Sequence, residues 1–469
     1  MLVQVFEAVT KAEGDRPAII DGKGRTVSFN GLQTLSEGYA AGFRARGIGK
    51  GDRVLIAMPV GIDLFAALAA IWRLGATVVF PEPQLGLAGL RHAARITKPK
   101  AFLSSGWYRL LGFLVPDLLF LPMRLTPIAK TGATVSDHSE EADTALISFT
   151  SGSTGNPKAI ARSHSFMMAQ AASVKPLLSG AEADDRDLVA FPVFVLACLS
   201  LGITSVLPAW PLKRPDKADA ETLTTQIARD RVTRLLIPPV ICETLARTAL
   251  PFSLRAIFTG GGPVFPDVMA ALSKKIPGVR LVAVYGSTEA EPIAHLDFHD
   301  TGPDDFTAMR NGAGLLAGDT VPDIEIAIVD GEIQVAGAHV NETYLNPDDA
   351  IENKVLRDGR IWHRTGDAGR LDETGRVWLE GRWSKNGTAL SPLRIETAAR
   401  YWPGLRKSAL AEISGKMVLA VEGDERSLKA WHKRATSLGV ADVRPVKEIP
   451  MDRRHRSKVD MARLRKLLG

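Results

Sequence analysis

Apolar residues return at helical spacing in LQTLSEGYAAGFRARGI (residues 32–48) and again in IDLFAALAAIWRLGA (residues 62–76). Each of these stretches is followed by a short run of β-formers, DRVLIAMPV and then ATVVFPEP. The alternation resumes in RVTRLLIPP, LRAIFTGGG and VRLVAVYG, each ending in proline or glycine. Strands and helices taking turns at this spacing predict layered, mostly parallel sheets. From Asp323 the texture changes to IEIAIVDGEIQVAG, GRIWHRT and GRLDETGRVWLEGR, short alternating runs whose DG and TG turns mark hairpins. They predict a small β subdomain at the end of the large domain. From Leu393 the order helix, strand, strand, helix, strand and basic tail predicts a small α+β domain. The expected fold class is α/β, with a large multi-subdomain N-terminal domain over residues 1–381, a hinge at 382–385 and a small C-terminal domain over 386–469.

A length of 469 residues is too great for one ordinary core, in keeping with this division. No cleavable signal is expected at MLVQVFEAVTKAEGDRPAII, which has early acidic residues and no apolar run. The greasiest stretch, LLGFLVPDLLFLPM from Leu110 to Met123, is interrupted by Pro116, Asp117 and Pro122. It is shorter than the roughly 20 residues of a spanning helix. A buried or surface-lying segment near an apolar-substrate site is expected instead, with peripheral membrane contact left open. The two cysteines, Cys198 and Cys242, show no CxxC spacing, which favours a reducing, cytoplasmic setting over a disulfide framework or a cysteine zinc site. The net charge of +6 is uneven: from Arg382 onward 20 Lys or Arg face nine Asp or Glu. Such a basic end suits phosphates, acidic cofactors or acidic carrier proteins, and on charge alone also nucleic acid.

ALISFTSGSTGNPKAIARSH, from Ala145 to His164, carries the densest chemistry. An apolar β run ends at Phe149, a loop of Ser, Thr and Gly follows, and a helix-compatible stretch comes after Lys158. Gly152 and Gly155 let backbone N–H groups turn inward, and Thr150, Ser151, Ser153 and Thr154 add hydroxyls. Such a nest suits a triphosphate or pyrophosphate, although the Walker A spacing is not met. A flexible surface loop would have the same composition.

The complete string TSGSTGNPK resembles the phosphate loop of the adenylate-forming superfamily of acyl-CoA synthetases, peptide-synthetase adenylation domains and luciferases. Three further motifs resemble that superfamily in the same order. LRAIFTGGGPVFP implies that Gly260, Gly261 and Gly262 line an adenine face. VYGSTEAEP implies Tyr285 and Gly286 near the adenine, Thr288 at phosphate and Glu289 holding Mg²⁺. RTGDAGRLDETGRVWLEGR implies Asp367 on the ribose hydroxyls and Arg382 on the same sugar or the α-phosphate. The resemblance thus implies ATP and Mg²⁺ as cofactors, a carboxylic acid substrate, and acyl-AMP with pyrophosphate as first products. It also implies a mobile C-terminal domain that swings at a hinge, here Lys385, and delivers a catalytic lysine, here Lys458 in PMDRRHRSK.

Within the superfamily, P-x-D-x-R-H-x-x-K and FPVFVLA are similar to the β-lactone synthetases of long-chain olefin biosynthesis. Ser457 stands where a glycine is common, and Val195 where many CoA ligases have histidine. Phe191, Phe194 and Val195 are candidate walls of an acyl pocket, and equally candidate core. After GRW the chain is shorter than CoA ligases and lacks their IKxxG segment, which weakens the implication of CoA as acceptor. The leading expectation is activation of a fatty or 3-hydroxy fatty acid followed by β-lactone closure or transfer. The alternatives are an acyl-CoA ligase, an acyl-AMP ligase serving an acyl carrier protein or pathway enzyme, and a non-catalytic nucleotide- or nucleic-acid-binding homologue. No nucleic-acid partner and no transmembrane segment are expected. His295 and His299 have zinc-like spacing in HLDFHD, but a loop without a third ligand is the plainer reading. His164 matches a family histidine, with capping or packing equally open.

Overall fold

The computed structural model describes residues 1–81, 86–131, 135–150, 157–180, 182, 184–212, 214–249, 253–384, 391–451 and 458–469. They form two compact units. The first comprises Met1–Ala209, Gln226–Thr233 and Ala338–Lys354; the second comprises Trp210–Thr225, Arg234–Gly337 and Val355–Gly469.

In the first unit, a six-stranded sheet runs in the order Met123–Leu125, Ala101–Ser104, Arg53–Ala57, Thr77–Val79, Thr144–Thr150 and Lys158–Ser163. The first five strands are parallel, and the sixth returns antiparallel to Thr144–Thr150. Helices cover this parallel sheet, so its strands read as continuous apolar runs such as Val54–Ile56. The two helices expected from periodicity span Phe29–Ala45 and Ile62–Arg73. Ser28 caps the former by accepting a hydrogen bond from the Gly31 N–H at 3.1 Å. A second group of strands in this unit orders Arg186–Val189, Thr204–Val206, Pro17–Ile20 and Thr26–Ser28.

The second unit starts with three parallel strands, Arg234–Ile237, Ala256–Gly260 and Arg280–Ser287. The sheet then turns antiparallel through Ala290–Asp297, Leu315–Thr320, Val377–Arg382, Arg360–Leu371, Glu332–Gly337 and Ile324–Val329. The DG hairpin is present, with Asp330 and Gly331 both at positive φ. The expected C-terminal order is also present: helix Pro392–Ala399, strands Leu405–Ile413 and Lys416–Gly423, helix Leu428–Ser437, strand Asp442–Pro445. Alternation on Lys416–Gly423 serves two cores. Leu419 and Val421 pack with Trp402 and Trp431, while Val418 and Ala420 pack with Ile449, Leu464 and Leu468. The second of these cores requires a terminal helix, Met461–Leu468, where the sequence suggested only a basic tail.

Three local readings change. Lys158–Ser163 is a strand, its residues alternating across the sheet, and the helix begins only at His164. The HLDFHD segment is not a loop: His295 sits in strand Ala290–Asp297, and a single 3-10 turn follows over Phe298–Asp300. The apolar Leu110–Met123 stretch forms two one-turn helices, Leu111–Leu114 and Pro116–Leu119, with several large side chains in solvent.

Candidate functional site

In the second unit, parallel pairing aligns Gly260 with Val284 and brings the glycine turn beside Tyr285. A Cβ on Gly260 would lie 2.5 Å from the Val284 carbonyl oxygen, so the strand pairing itself requires glycine there. Strand Arg280–Ser287 passes to Ala290–Asp297 through the two-residue connection Thr288–Glu289, both half-buried. Gly286 faces the Ala290 carbonyl across this hairpin.

The Tyr285 hydroxyl donates to Asp367 Oδ2 at 2.8 Å, across 82 residues of sequence. Arg382 Nη1 donates to Asp367 Oδ1 at 2.7 Å, where antiparallel register sets the two residues opposite one another. Each oxygen of the carboxylate therefore has one partner and retains capacity to accept another hydrogen bond. Burial, together with the neighbouring Asp367 charge, pushes the Tyr285 hydroxyl well above its usual range, so it remains a donor.

The turn carrying Asp367 is fixed from behind by a residue the motifs did not single out. Glu332 is almost fully buried; it accepts from Arg364 Nε at 2.7 Å and from the Gly366 N–H at 3.2 Å. The Arg364 guanidinium also lies 4.9 Å from the Trp383 ring centroid. Gly366 has φ +68, and a Cβ there would meet the Arg382 guanidinium at 2.9 Å. The signal for Glu332 was an acidic residue opening an otherwise mostly apolar strand, EIQVAG. At the other end of the same hairpin, Arg376 makes two bonds to Asp305, at 3.0 and 2.7 Å, and a third to Asp372 at 3.0 Å.

In the first unit, Thr150 and Lys158 are register partners, the last pair of their hairpin before the connecting residues 151–157. Lys158 is only 6% exposed. Its Nζ donates to the Asp349 carbonyl at 3.1 Å, lies 3.7 Å from a Glu352 carboxylate oxygen and sits 5.5 Å over the Tyr344 ring. The Leu345 N–H bonds to the Ala159 carbonyl at 2.8 Å and ties this segment to the strand. His164 opens a helix capped by Ser163, and its ring is buried at 6.2 Å from Trp72. Burial lowers its pKa. Phe191 and Phe194 are half-buried with rings 6.1 Å apart, whereas Val195 is wholly buried.

The fold thus brings Tyr285, Asp367 and Arg382 together and sets Gly260 to Gly262 beside the same strand end. Lys458 is an exposed residue immediately before Val459, which bridges to Met451. Ser151, Gly152, Ser153, Thr154, Gly155 and Lys385 lie outside the described residues, as do Asp452, Arg454, His455 and Ser457. Among the described residues no group of three or more His, Cys, Asp or Glu gathers into a metal cluster, His295 and His299 included. No helix among them is long and apolar enough to cross a membrane.

Comparison with known proteins bears on the same residues. An olefin β-lactone synthetase of Xanthomonas campestris pv. campestris is 28% identical, over 94% of this chain and 90% of its own length. A 2-succinylbenzoate–CoA ligase of Enterococcus faecalis is 26% identical, over 77% and 73% respectively. An amide bond synthetase of Marinactinospora thermotolerans has the same fold, with a TM-score of 0.83 across 100% of both chains at 22% identity. The family described as AMP-binding enzyme matches residues 6–345, which hold the loop of Thr150 to Lys158, the glycine turn and Tyr285 to Glu289. The chain belongs to the AMP-binding enzyme family.

Proposed function

We propose that this AMP-forming ligase activates a 3-hydroxy fatty acid with ATP and closes the product to a β-lactone. In the first step a carboxylate oxygen attacks the α-phosphorus, the bond to pyrophosphate breaks, and acyl-AMP forms. In the second step the β-hydroxyl oxygen attacks the acyl carbon, AMP departs, and the hydroxyl proton passes to solvent. The observation that carries the nucleotide half is the two-sided hold on Asp367 by Tyr285 and Arg382. A fixed carboxylate with accepting capacity on both oxygens suits the paired hydroxyls of a ribose.

The remaining roles follow from charge. An anion attacking a polyanion needs positive charge where the transition state builds negative charge. Lys158 and Lys458 supply ammonium groups, and Arg382 a guanidinium beside the sugar. The donor set fits a hard divalent ion such as Mg²⁺ only in the one-carboxylate form, with Glu289 as the protein ligand and phosphate oxygens completing the shell. When bound, such an ion neutralises phosphate charge. Thr288 adds a hydroxyl beside it. Phe191 and Phe194 are the proposed contacts of the acyl chain. Val195, being wholly buried, acts through their packing. The small C-terminal domain, from residue 386 onward with its hinge at 382–385, is proposed to deliver Lys458.

The lactone half rests on the 28% identity to an olefin β-lactone synthetase along nearly the whole chain and on the short segment after Trp383. The second reading, transfer to CoA, is favoured by the similarity to 2-succinylbenzoate–CoA ligase. Incubation with ATP, Mg²⁺ and racemic 3-hydroxy acids, with and without CoA, separates them. The proposal expects AMP release without CoA and a product lighter than the acid by one water. Strict dependence of AMP release on CoA overturns the lactone, and no pyrophosphate with any acid overturns the activation step.

A further inference from the structure

The crossover between strands Ala101–Ser104 and Met123–Leu125 carries an inverted arrangement of apolar residues. Its inner side is satisfied: Val115 and Leu118 are buried against Leu55, Leu90, Phe102 and Phe149. A surface helical crossover normally turns polar groups outward. Here the outward side chains are Trp107, Leu110, Phe113, Leu114 and Phe120, with Leu114 at 72% and Phe120 at 84% exposure. Ile128, beyond the strand, is also 68% exposed. Such contiguous apolar exposure marks an interaction surface.

The chemistry around it identifies the partner. Between residues 86 and 130 there are seven Lys or Arg and a single acidic residue, Asp117; one of the seven, Lys100, is paired with Asp52 at 2.7 Å. Asp117 is engaged by both Arg91 Nε at 2.8 Å and Arg95 Nε at 2.6 Å, so no negative charge is left over. Arg109 and Lys130 are exposed within the patch region. Arg124 lies 4.8 Å over the Phe113 ring and donates to the Leu119 carbonyl at 2.6 Å, which holds the two one-turn helices together. Trp107 and Tyr108 stack at 4.0 Å beside Arg109, an aromatic pair suited to the border between hydrocarbon and water. A second copy of the chain would set the same cationic surplus against itself.

We propose that this surface, centred on Phe113, Leu114 and Phe120, docks shallowly on an anionic lipid bilayer. The apolar tips enter the acyl border, while Arg109, Lys130 and the neighbouring guanidiniums meet headgroup phosphates. The docking does not depend on the ligase reading, because it requires neither ATP nor acid.

The test is flotation of the full chain, without nucleotide, with vesicles of phosphatidylcholine alone or with one-third phosphatidylglycerol. The wild type is expected to float with the mixed vesicles and to release as salt rises. The triple variant Phe113→Ser, Leu114→Ser, Phe120→Ser is expected to lose at least about 10-fold in partitioning. Its thermal unfolding should be unchanged, since all three side chains are exposed. The pair Arg109→Glu, Lys130→Glu should weaken binding to the mixed vesicles. Trp107→Phe should remove most of the vesicle-induced change in fluorescence. A wild type that stays unbound, or a triple variant that floats equally well, overturns the proposal. So does a dimer in light scattering that the triple variant dissolves while neither protein floats, which would make the face a contact between copies.

Discussion

Lys158 and Lys458 carry the same charge, yet the fold treats them in opposite ways. Lys158 is sunk in the first unit, its ammonium fixed by a backbone carbonyl, a carboxylate and an aromatic face. Lys458 stands in solvent near the end of the chain. A buried, partnered cation is pre-positioned and its field is little screened, while an exposed one is hydrated and counts only when water is removed. The difference suggests a division of labour. On the proposed function, Lys158 would help hold phosphates in the ground state, and Lys458 would act where charge changes during the reaction.

The strongest way to break this comparison is Lys458→Ala. It should slow acyl-AMP formation by about 10²–10³-fold while ATP affinity, read by equilibrium dialysis, stays within a few-fold. Unchanged single-turnover adenylation would remove Lys458 from the chemistry.

The C-terminal region also has a pH lever of its own. Glu396 is buried, accepts a hydrogen bond from the Leu410 N–H at 2.9 Å, and burial raises its pKa from the usual 4.5 to about 7. The folded chain then holds this proton across a range where the unfolded chain has lost it. Stability should therefore fall as pH rises from about 4.5 to about 7, by roughly 3 kcal/mol, and level off above. Urea unfolding followed across that range should show the slope, and Glu396→Gln should flatten it. A wild-type curve without the slope would show that Glu396 ionises normally.

The smallest expected effect belongs to the buried lysine. Lys158→Met keeps the aliphatic stem, so it should raise the ATP KM by about 10-fold and leave the maximal rate within a few-fold. A reversed pattern, with the rate lost and KM kept, would assign the two lysines the other way round.

The elements were legible where periodicity was local. The paired helices, the parallel strands and the hairpins at Asp330–Gly331 and Thr374–Gly375 follow from alternation and turn residues. The terminal helix escaped notice because Met461–Leu468 is short and buries mainly Leu464 and Leu468 among basic neighbours. The strand after the phosphate loop was obscured by helix-favouring alanines at 159 and 161, which tertiary pairing overrides. The site was legible as residue types in order, but its contacts were not. Tyr285 reaches Asp367 across 82 residues, and Glu332 supports the Asp367 turn from a strand of its own. Such links depend on which strands become neighbours, and a motif read along the chain contains nothing about that.

The facing of Asp367 and Arg382 is a matter of counting. The two stand opposite because the hairpin between them, fastened at its tip by Arg376 to Asp305 and Asp372, carries a one-residue register shift between Ala368 and Gly369. Strand side chains alternate with a period of two, so losing that one-residue shift while the tip pairing stays in place would set Asp367 opposite Gly381 instead of Arg382. Side-chain chemistry at the tip can vary while the clamp persists, whereas the register along the strands decides which residue faces Asp367.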